Sequence, residues 1–291
     1  MDKVILIMKE KPLWLFYGFI GTCILAFIVS QTFFDMQAIM PGEYEMFFWF
    51  LVVGFVAQTI DGALGMAYGI TSNSILLGIG IPPASASAWV HLAEVFTTLA
   101  SGISHWKLGN VKWDLAKRLL IPGVSGAVLG AYFLSSIDGE QIKPFVSVYL
   151  FVMGIVILRK VIKKNKPKLN PEDKTIPYLA LVGGFADTTG GGGWGPIVNS
   201  SLMSKGQTPR YAIGTVNFVE FFIAVAGAGT FFLFLDDISW AAVLGLILGG
   251  VVAAPFAAII CKKVSPKTLM IMVGVLIMIL SFRTFYLSMV L

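Results

Sequence analysis

The sequence has few charged residues for its length, and very few cysteines and histidines. Charged side chains make up 13% of the 291 residues and hydrophobic side chains 57%, with only two cysteines and two histidines. A soluble domain carries about 25% charged residues, so this composition excludes a chain that meets water on all sides. Cys23 and Cys261 are too distant in sequence to form a metal-ligand motif or a disulfide framework. We therefore expect no cofactor and no resident metal.

The chain is instead rich in apolar runs of about 20 residues, the length that crosses a bilayer as a helix. These runs predict an all-α polytopic membrane protein. The first run lies within residues 1–45; it is longer than a signal-peptide core and has no clear small-residue cleavage site. We expect residues 1–45 to form a retained N-terminal transmembrane helix and an external loop.

The loops between the apolar runs differ in charge, which predicts the orientation of the chain. Lysine and arginine cluster in residues 1–12, 105–118 and 159–175, whereas acidic residues cluster in 35–45 and 136–143. Cytoplasmic loops carry the excess of basic residues. The sequence thus predicts a multi-pass protein of a bacterial-type inner membrane, with a cytoplasmic N-terminus and an extracytoplasmic C-terminus. The net charge of +5 lies in these loops and gives no indication of nucleic-acid binding.

Two segments, residues 46–81 and 178–207, must leave and return on one face of the membrane. As one straight helix, 46–81 would be roughly 50 Å long, too long for one span and too short for two. We therefore expect re-entrant pairs of half-helices, broken at residues 61–65 and at the glycines 190–193. Irregular backbone at that depth is tolerated where it lines a cavity or is buried in protein.

The two halves of the chain resemble each other. Glycines and threonines of residues 54–65 match residues 184–195 at a shift of 130, whereas Pro83 and Glu94 match Pro209 and Glu220 at a shift of 126. Each half has a broken pair and three further helices, an odd number that inverts the second half. The sequence predicts two inverted-topology repeats, residues 46–162 and 178–291, joined by a basic cytoplasmic linker, 163–177.

Four acids lie at membrane depth, where ionisable side chains are costly and mark functional sites. They are candidates for binding a coupling ion or proton, together with a histidine and the matching asparagine in the second half: Asp61, Glu94, Asp187, Glu220, His91 and Asn217. A structural role stays open. Asp61 and Asp187 could cap half-helices, and Glu94 and Glu220 could hold the bundle together through hydrogen bonds.

No lysine or arginine lies clearly within a span, so an anion site would need another source of positive potential. The second half-helix of each pair begins at the break and directs its free N–H groups at the bundle centre. The substrate-binding candidates are glycines and polar residues near both breaks: Gln58, Thr59, Gly62, Gly65, Ser72, Asn73, Thr188, Thr189, Gly192, Gly193, Trp194, Gly195 and Asn199. Three Gly-x-x-x-Gly motifs, beginning at Gly65, Gly126 and Gly245, are typical of helix packing.

The stretch from Gly183 to Pro196, the matching helices around Glu94 and Glu220, and the similarity of the halves resemble the TauE/SafE family of bacterial membrane transporters. The resemblance covers roughly residues 47–285. It implies export of sulfite, sulfoacetate or a related sulfur-containing anion. In the first half, Asp61-Gly62-Ala63-Leu64-Gly65 stands where family members often carry a fuller glycine cluster.

The leading hypothesis is therefore a secondary transporter for a small organosulfur or sulfite-type anion, with export favoured and coupling to H⁺ or Na⁺. A divalent-cation transporter that uses the intramembrane acids is the alternative. An intramembrane hydrolase would require Asp61 and Asp187 to form a dyad, and we expect no enzyme. The expected partners are the anion, the coupling cation and the lipid bilayer; monomer and homo-oligomer both stay open.

Overall fold

The computed structural model describes residues 42–162, 173–235, 238–263 and 266–290. The predicted N-terminal helix and most of the central linker lie outside the described residues, as do the side chains of both cysteines. The described residues contain ten α-helices and no strand. In chain order they are α1 Glu43–Leu64, α2 Tyr68–Gly78, α3 Pro83–Lys107, α4 Trp113–Ser135, α5 Gly139–Ile162, α6 Thr175–Gly190, α7 Ser200–Ser204, α8 Pro209–Phe234, α9 Trp240–Lys263 and α10 Pro266–Val290.

Several helices have the length and composition to cross a membrane. Among the described residues five qualify, within α1, α4, α5, α8 and α10, and α9 adds a shorter apolar stretch, Trp240–Ala253. This confirms an all-helical, multi-pass membrane protein. Helix α3 is 25 residues long but less apolar, because it carries buried polar side chains, among them His91 and Glu94. Polar groups on a helix of this length need partners inside the protein. Helix α3 finds them because it packs against α2, α4, α5, α6, α8 and α9.

The first break in the helices lies between α1 and α2. Helix α1 continues through Leu64 and ends at Gly65, whose φ of 67° is left-handed, a conformation that glycine adopts without steric cost. Residues 61–64 are therefore helical, and the predicted break at 61–65 is correct only at its C-terminal end. Residues 65–67 make the turn, and the 11-residue helix α2 follows, buried along its whole length.

The second break follows α6 and lies where the glycine run predicts it. Gly191 ends α6 with φ 68°, and Gly192 has φ 142°. The chain then continues as a π-helical turn, Gly195–Asn199, which leads directly into α7. Pro196 stands at the start of this turn, where a missing N–H is tolerated. Glycine permits both positive φ values, so the sequence run Gly190–Gly193 determines the position of the break.

The two breaks share local geometry at a single shift of 126 residues. Gly65 donates its N–H to the Asp61 carbonyl and Gly191 donates to the Asp187 carbonyl, with nearly equal φ. Gly80 and Gly206, which follow α2 and α7, both have φ 95°. The geometry therefore matches Asp61 with Asp187, and the alignment of residues 54–65 at a shift of 130 is wrong.

Helix packing exchanges partners between the two halves. Helix α1 packs against α9 and α6 against α4, while α3 packs on α8 and α5 on α10. Glycines let backbones approach in both exchanged pairs: a Cβ on Gly249 would lie 2.1 Å from the Leu51 oxygen, and one on Gly126 would lie 2.1 Å from the Leu181 oxygen. The motifs beginning at Gly126 and Gly245 thus serve helix packing, as predicted.

Asp173 anchors the start of the second half outside the membrane-spanning helices. Its carboxylate accepts hydrogen bonds from the Thr175 N–H and hydroxyl, and its second oxygen lies 2.5 Å from Lys205 Nζ. These bonds hold the pKa of Asp173 well below its usual value, with the Lys205 contact the largest cause.

A depressed folded-state pKa contributes stability that is present above the unfolded pKa, about 3.9, and is lost as the pH falls towards the folded value. We expect Asp173→Asn to lower the melting temperature of detergent-solubilised protein slightly at neutral pH, because the pair is partly exposed to solvent. The difference should vanish under strongly acidic conditions. A difference that grows with acidity would contradict this role.

Candidate functional site

A small cavity lies where the two breaks meet. Its wall contains three acids, backbone from both breaks and apolar side chains: Met66, Tyr68, Gly69, Ile70, Glu94, Asp187, Gly192, Gly193, Gly195, Pro196 and Glu220. The cavity volume that the centre of a water molecule can occupy is about 10 Å³. This is close to the volume that one bound water molecule needs. An oxyanion is larger than a water molecule and does not fit the cavity in this conformation.

The two breaks are cross-linked by asparagine side chains at equivalent positions. Asn73 of the first half donates to the Gly190 carbonyl at 2.7 Å, and Asn199 of the second half donates to the Gly65 carbonyl at 3.4 Å. Both asparagines are fully buried. Each amide satisfies a carbonyl at the end of the opposite half's helix, where intrahelical donors run out. The predicted candidates Asn73 and Asn199 therefore join the two breaks to each other.

Two of the predicted acids cap the helices that follow the breaks. Asp61 Oδ1 accepts from the N–H groups of Ala67 and Tyr68 at 2.7 and 3.3 Å. Asp187 Oδ1 accepts from the Trp194 N–H at 2.7 Å. The capping alternative is thus the arrangement observed for both residues. Because carboxylates already occupy these donors, the helix N-termini by themselves do not provide a free anion site.

Asp187 also contacts His91 through its other oxygen. His91 Nε2 lies 3.2 Å from Asp187 Oδ2, and both side chains are almost fully buried. The other ring nitrogen, Nδ1, lies 2.8 Å from the Ser87 carbonyl oxygen and 3.3 Å from the Ser87 hydroxyl. The His91 ring therefore links helix α3 to helix α6 beside the cavity.

Glu94 lies beside this pair, one helical turn after His91. It is 3% exposed, lines the cavity, and its Oε2 has no hydrogen-bond partner among the described residues. Ligand atoms of His91, Glu94 and Asp187 lie within 4.8 Å of one another. Nδ1 of His91 faces the Ser87 carbonyl oxygen, so a neutral ring with its hydrogen on Nδ1 directs the Nε2 lone pair towards Asp187.

The remaining predicted residues divide between the cavity and the surrounding protein. Gly192, Gly193, Gly195 and Glu220 line the cavity. Trp194 lies in the hydrophobic core and donates its ring N–H to the Val216 carbonyl. The others lie outside the cavity lining: Gln58, Thr59, Gly65, Ser72, Thr188, Thr189 and Asn217. Among these, Thr188 donates to the Ala127 carbonyl and Asn217 to the Ser101 hydroxyl, which are interhelical bonds. Gly62 lies within α1, and its surroundings fall outside the described part of the chain.

Sequence reasoning missed three side chains at the cavity. Tyr68 is the positional equivalent of Trp194, so the shift of 126 would have identified it. Tyr149 of α5 donates its hydroxyl to the Gly192 carbonyl at 2.8 Å, and no sequence signal distinguishes it from other span tyrosines. Lys160 contacts the Met66 sulfur with its amino group, although its sequence context, next to Arg159, indicated a cytoplasmic loop.

Comparison with known proteins identifies relatives over most of the chain. The family model described as "Sulfite exporter TauE/SafE" matches residues 50–284. The chain is 46% identical over 245 residues to the probable membrane transporter protein YtnM of Bacillus subtilis, covering 81% of each chain. It is 28% identical to the probable membrane transporter protein YdhB of the same organism, covering 75% of this chain and 90% of the relative. No solved structure matches significantly.

Proposed function

Because this chain belongs to the TauE/SafE family of membrane transporters, we propose that it carries a small organosulfur or sulfite-type anion, with export favoured. The name of the family points to sulfite. The transport path passes through the cavity between the two breaks. A cation, H⁺ or Na⁺, moves with it and is bound by the acids of the cavity wall.

The carrying observation is that both breaks contribute to one cavity at the centre of the described bundle. Backbone of Gly192 and Gly193 lines one side and Gly69 of α2 the other. Interrupted helices in corresponding halves that meet at one site are the arrangement of secondary-transporter binding sites. The small size of the cavity fits a closed intermediate between an inward-open and an outward-open state.

We propose that the two halves have inverted topology. The common shift of 126 residues and the exchange of partners between α1·α9 and α6·α4 support a pseudo-two-fold relation between them. An axis in the membrane plane would then bring the breaks in from opposite faces, with a cytoplasmic N-terminus as the basic loops indicate. In alternating access the two halves would then exchange their conformations, which would open the site first to one side of the membrane and then to the other.

Divalent-cation transport is the competing function, and the three acids of the cavity favour it. Lys160 argues against it, since a cation path would not place an amino group beside the cavity wall at Met66.

Flux into liposomes that contain the purified protein tests this proposal. We expect uptake of labelled sulfite or methanesulfonate above the level of protein-free liposomes, and no uptake of manganese or cobalt ions. Competition by unlabelled sulfonates should reduce the signal. Uptake of the metal ions without any sulfur-anion flux would replace the anion proposal by the divalent-cation one.

Gly69→Ala is a milder, site-directed test of the cavity. A Cβ at this position would lie 2.8 Å from Glu94 Oε1 and 3.0 Å from Gly192 Cα, so the methyl group would enter the cavity. We expect a several-fold loss of anion flux and a small loss of stability, because the Glu94 carboxylate can shift whereas the backbone of Gly192 must give way slightly. Gly229→Ala is the matched control, since nothing lies within 4 Å of its Cβ. Equal flux in the two variants would place the path elsewhere.

A further inference from the structure

The hydrogen bonds of His91 determine where its first proton lies. Its Nδ1 faces the Ser87 carbonyl oxygen at 2.8 Å, and a carbonyl only accepts. The Ser87 hydroxyl could in principle donate to Nδ1, but it donates to the Thr188 carbonyl at 2.6 Å. Both neighbours of Nδ1 are therefore acceptors. Nδ1 must carry a hydrogen.

The contact on the other side of the ring then requires a second proton. With hydrogen on Nδ1, the Nε2 of a neutral ring is an acceptor, and an ionised carboxylate offers acceptors only. Nε2 and Asp187 Oδ2 nevertheless lie 3.2 Å apart in a fully buried position. Two buried acceptors facing each other are unfavourable. One hydrogen must lie between them, on Nε2 or on the carboxyl group.

The groups around this pair are acidic or phenolic. Glu94 lies on the same helix and Glu220 faces the cavity from α8. Tyr149 of α5 and Tyr68 of α2 add hydroxyl groups, and Asp61 of α1 caps α2 nearby. Among the described residues that line the cavity there is no basic side chain. Like charges repel strongly in a low-dielectric interior, so these carboxyl groups cannot all be ionised while an anion occupies the cavity.

On the basis of the function proposed above, we propose that the coupling ion is a proton held between His91 and Asp187, which exchanges with Glu94 and moves in the same direction as the anion. Glu94 is the acceptor, because one of its carboxylate oxygens lies within 4.8 Å of the pair and its Oε2 has no hydrogen-bond partner among the described residues. Binding of this proton removes one negative charge from the cavity and admits the anion, and departure of both restores that charge in the empty form. Export then follows the outward gradient of the anion, and each anion takes a proton out with it.

The tautomer of His91 tests the proton directly, without any transport. The chain has two histidines, His91 and His105. In a His105→Asn variant labelled with ¹⁵N on the histidine ring nitrogens, every histidine NMR signal therefore comes from His91. His105 contacts only Asn110 by hydrogen bond at the end of α3, which makes it a safe position to change. We expect Nδ1 to be protonated at neutral pH, with Nε2 either protonated or hydrogen-bonded to a protonated Asp187. A neutral ring with its hydrogen on Nε2 alone would overturn the proposal.

Coupled flux tests the role of the proton in transport. Methanesulfonate is a suitable probe because it carries no exchangeable proton at neutral pH. Its entry into liposomes that contain a pH dye should acidify the interior, and an inward proton gradient should accelerate it. His91→Asn, which places at 91 the residue that stands at 217, should remove the acidification. Flux that follows a sodium gradient without a pH change would refute proton coupling and leave the proposed function intact, whereas absence of sulfite and methanesulfonate flux would refute the function itself.

Discussion

Asp187→Asn should reduce gradient-driven anion flux to the level of protein-free liposomes while the protein stays folded. The asparagine oxygen can still accept from the Trp194 N–H, and its amide can donate to His91 Nε2 in place of the shared proton. The variant thus keeps every hydrogen bond of the site but fixes it permanently in the neutral state. Binding of methanesulfonate, measured by calorimetry, should survive, because the cavity no longer carries this negative charge.

Two companion variants separate coupling from structure. Asp61→Asn is the matched control in the first half, since Asp61 caps α2 through backbone N–H groups, and we expect its flux to stay near the wild-type rate. Asp187→Ala removes the cap and leaves the Trp194 N–H unpaired, which should cost about 1–2 kcal/mol of stability and lower the melting temperature. If Asp187→Asn transported normally, the carboxyl group would have only a structural role.

Lys160→Gln should weaken apparent anion affinity at least tenfold, about 1.4 kcal/mol. Lys160 is half-buried at the end of α5, and its amino group contacts Met66 on the cavity wall. Among the described residues it forms no ion pair with a carboxylate. When it is protonated, an amino group without a paired acid at the edge of an acidic cavity attracts an anion and repels a cation. Concentration dependence of sulfite flux into liposomes measures the effect.

Charge and position are separated by two further substitutions. Lys160→Arg keeps the charge and should retain most of the affinity. Arg159→Gln removes the same charge one residue earlier, at an exposed position, and should change affinity little. An equal loss in Arg159→Gln and Lys160→Gln would indicate a general surface potential rather than a local role for Lys160. A gain of affinity in Lys160→Gln would favour a cationic substrate.

The sequence patterns predicted the parts of the fold that depend on local signals. The apolar runs located the long helices, and the family resemblance drawn from Gly183–Pro196 is confirmed. The glycine run 190–193 located the second break, because positive φ at Gly191 and Gly192 needs glycine. The first break was placed too early, since Asp61 and Gly62 suggested a helix end, whereas the only left-handed residue there is Gly65.

The composition of the site depended on register, which local patterns do not determine. A shift of 130 aligned glycines with glycines in the break regions and hid the equivalence of Asp61 with Asp187 and of Tyr68 with Trp194. From the sequence, capping by Asp61 and Asp187 was an alternative to ion binding. Spacing alone does not show whether a carboxylate accepts hydrogen bonds from the start of the following helix. The position of Lys160 follows from the contact between α5 and the first break, which are distant in sequence.

The exchange of helix partners between the halves also has a consequence for how the chain assembles. Helix α1 ends at Leu64 and its partner α9 begins at Trp240. At a synthesis rate of about 5–20 residues per second, roughly 9–35 seconds separate the two on the ribosome. During that time the close backbone contact of Gly54 with Leu246 cannot form. Helix α1 therefore lacks its native partner until the second half has been synthesised. The two halves then pack together late in assembly, rather than folding independently one after the other.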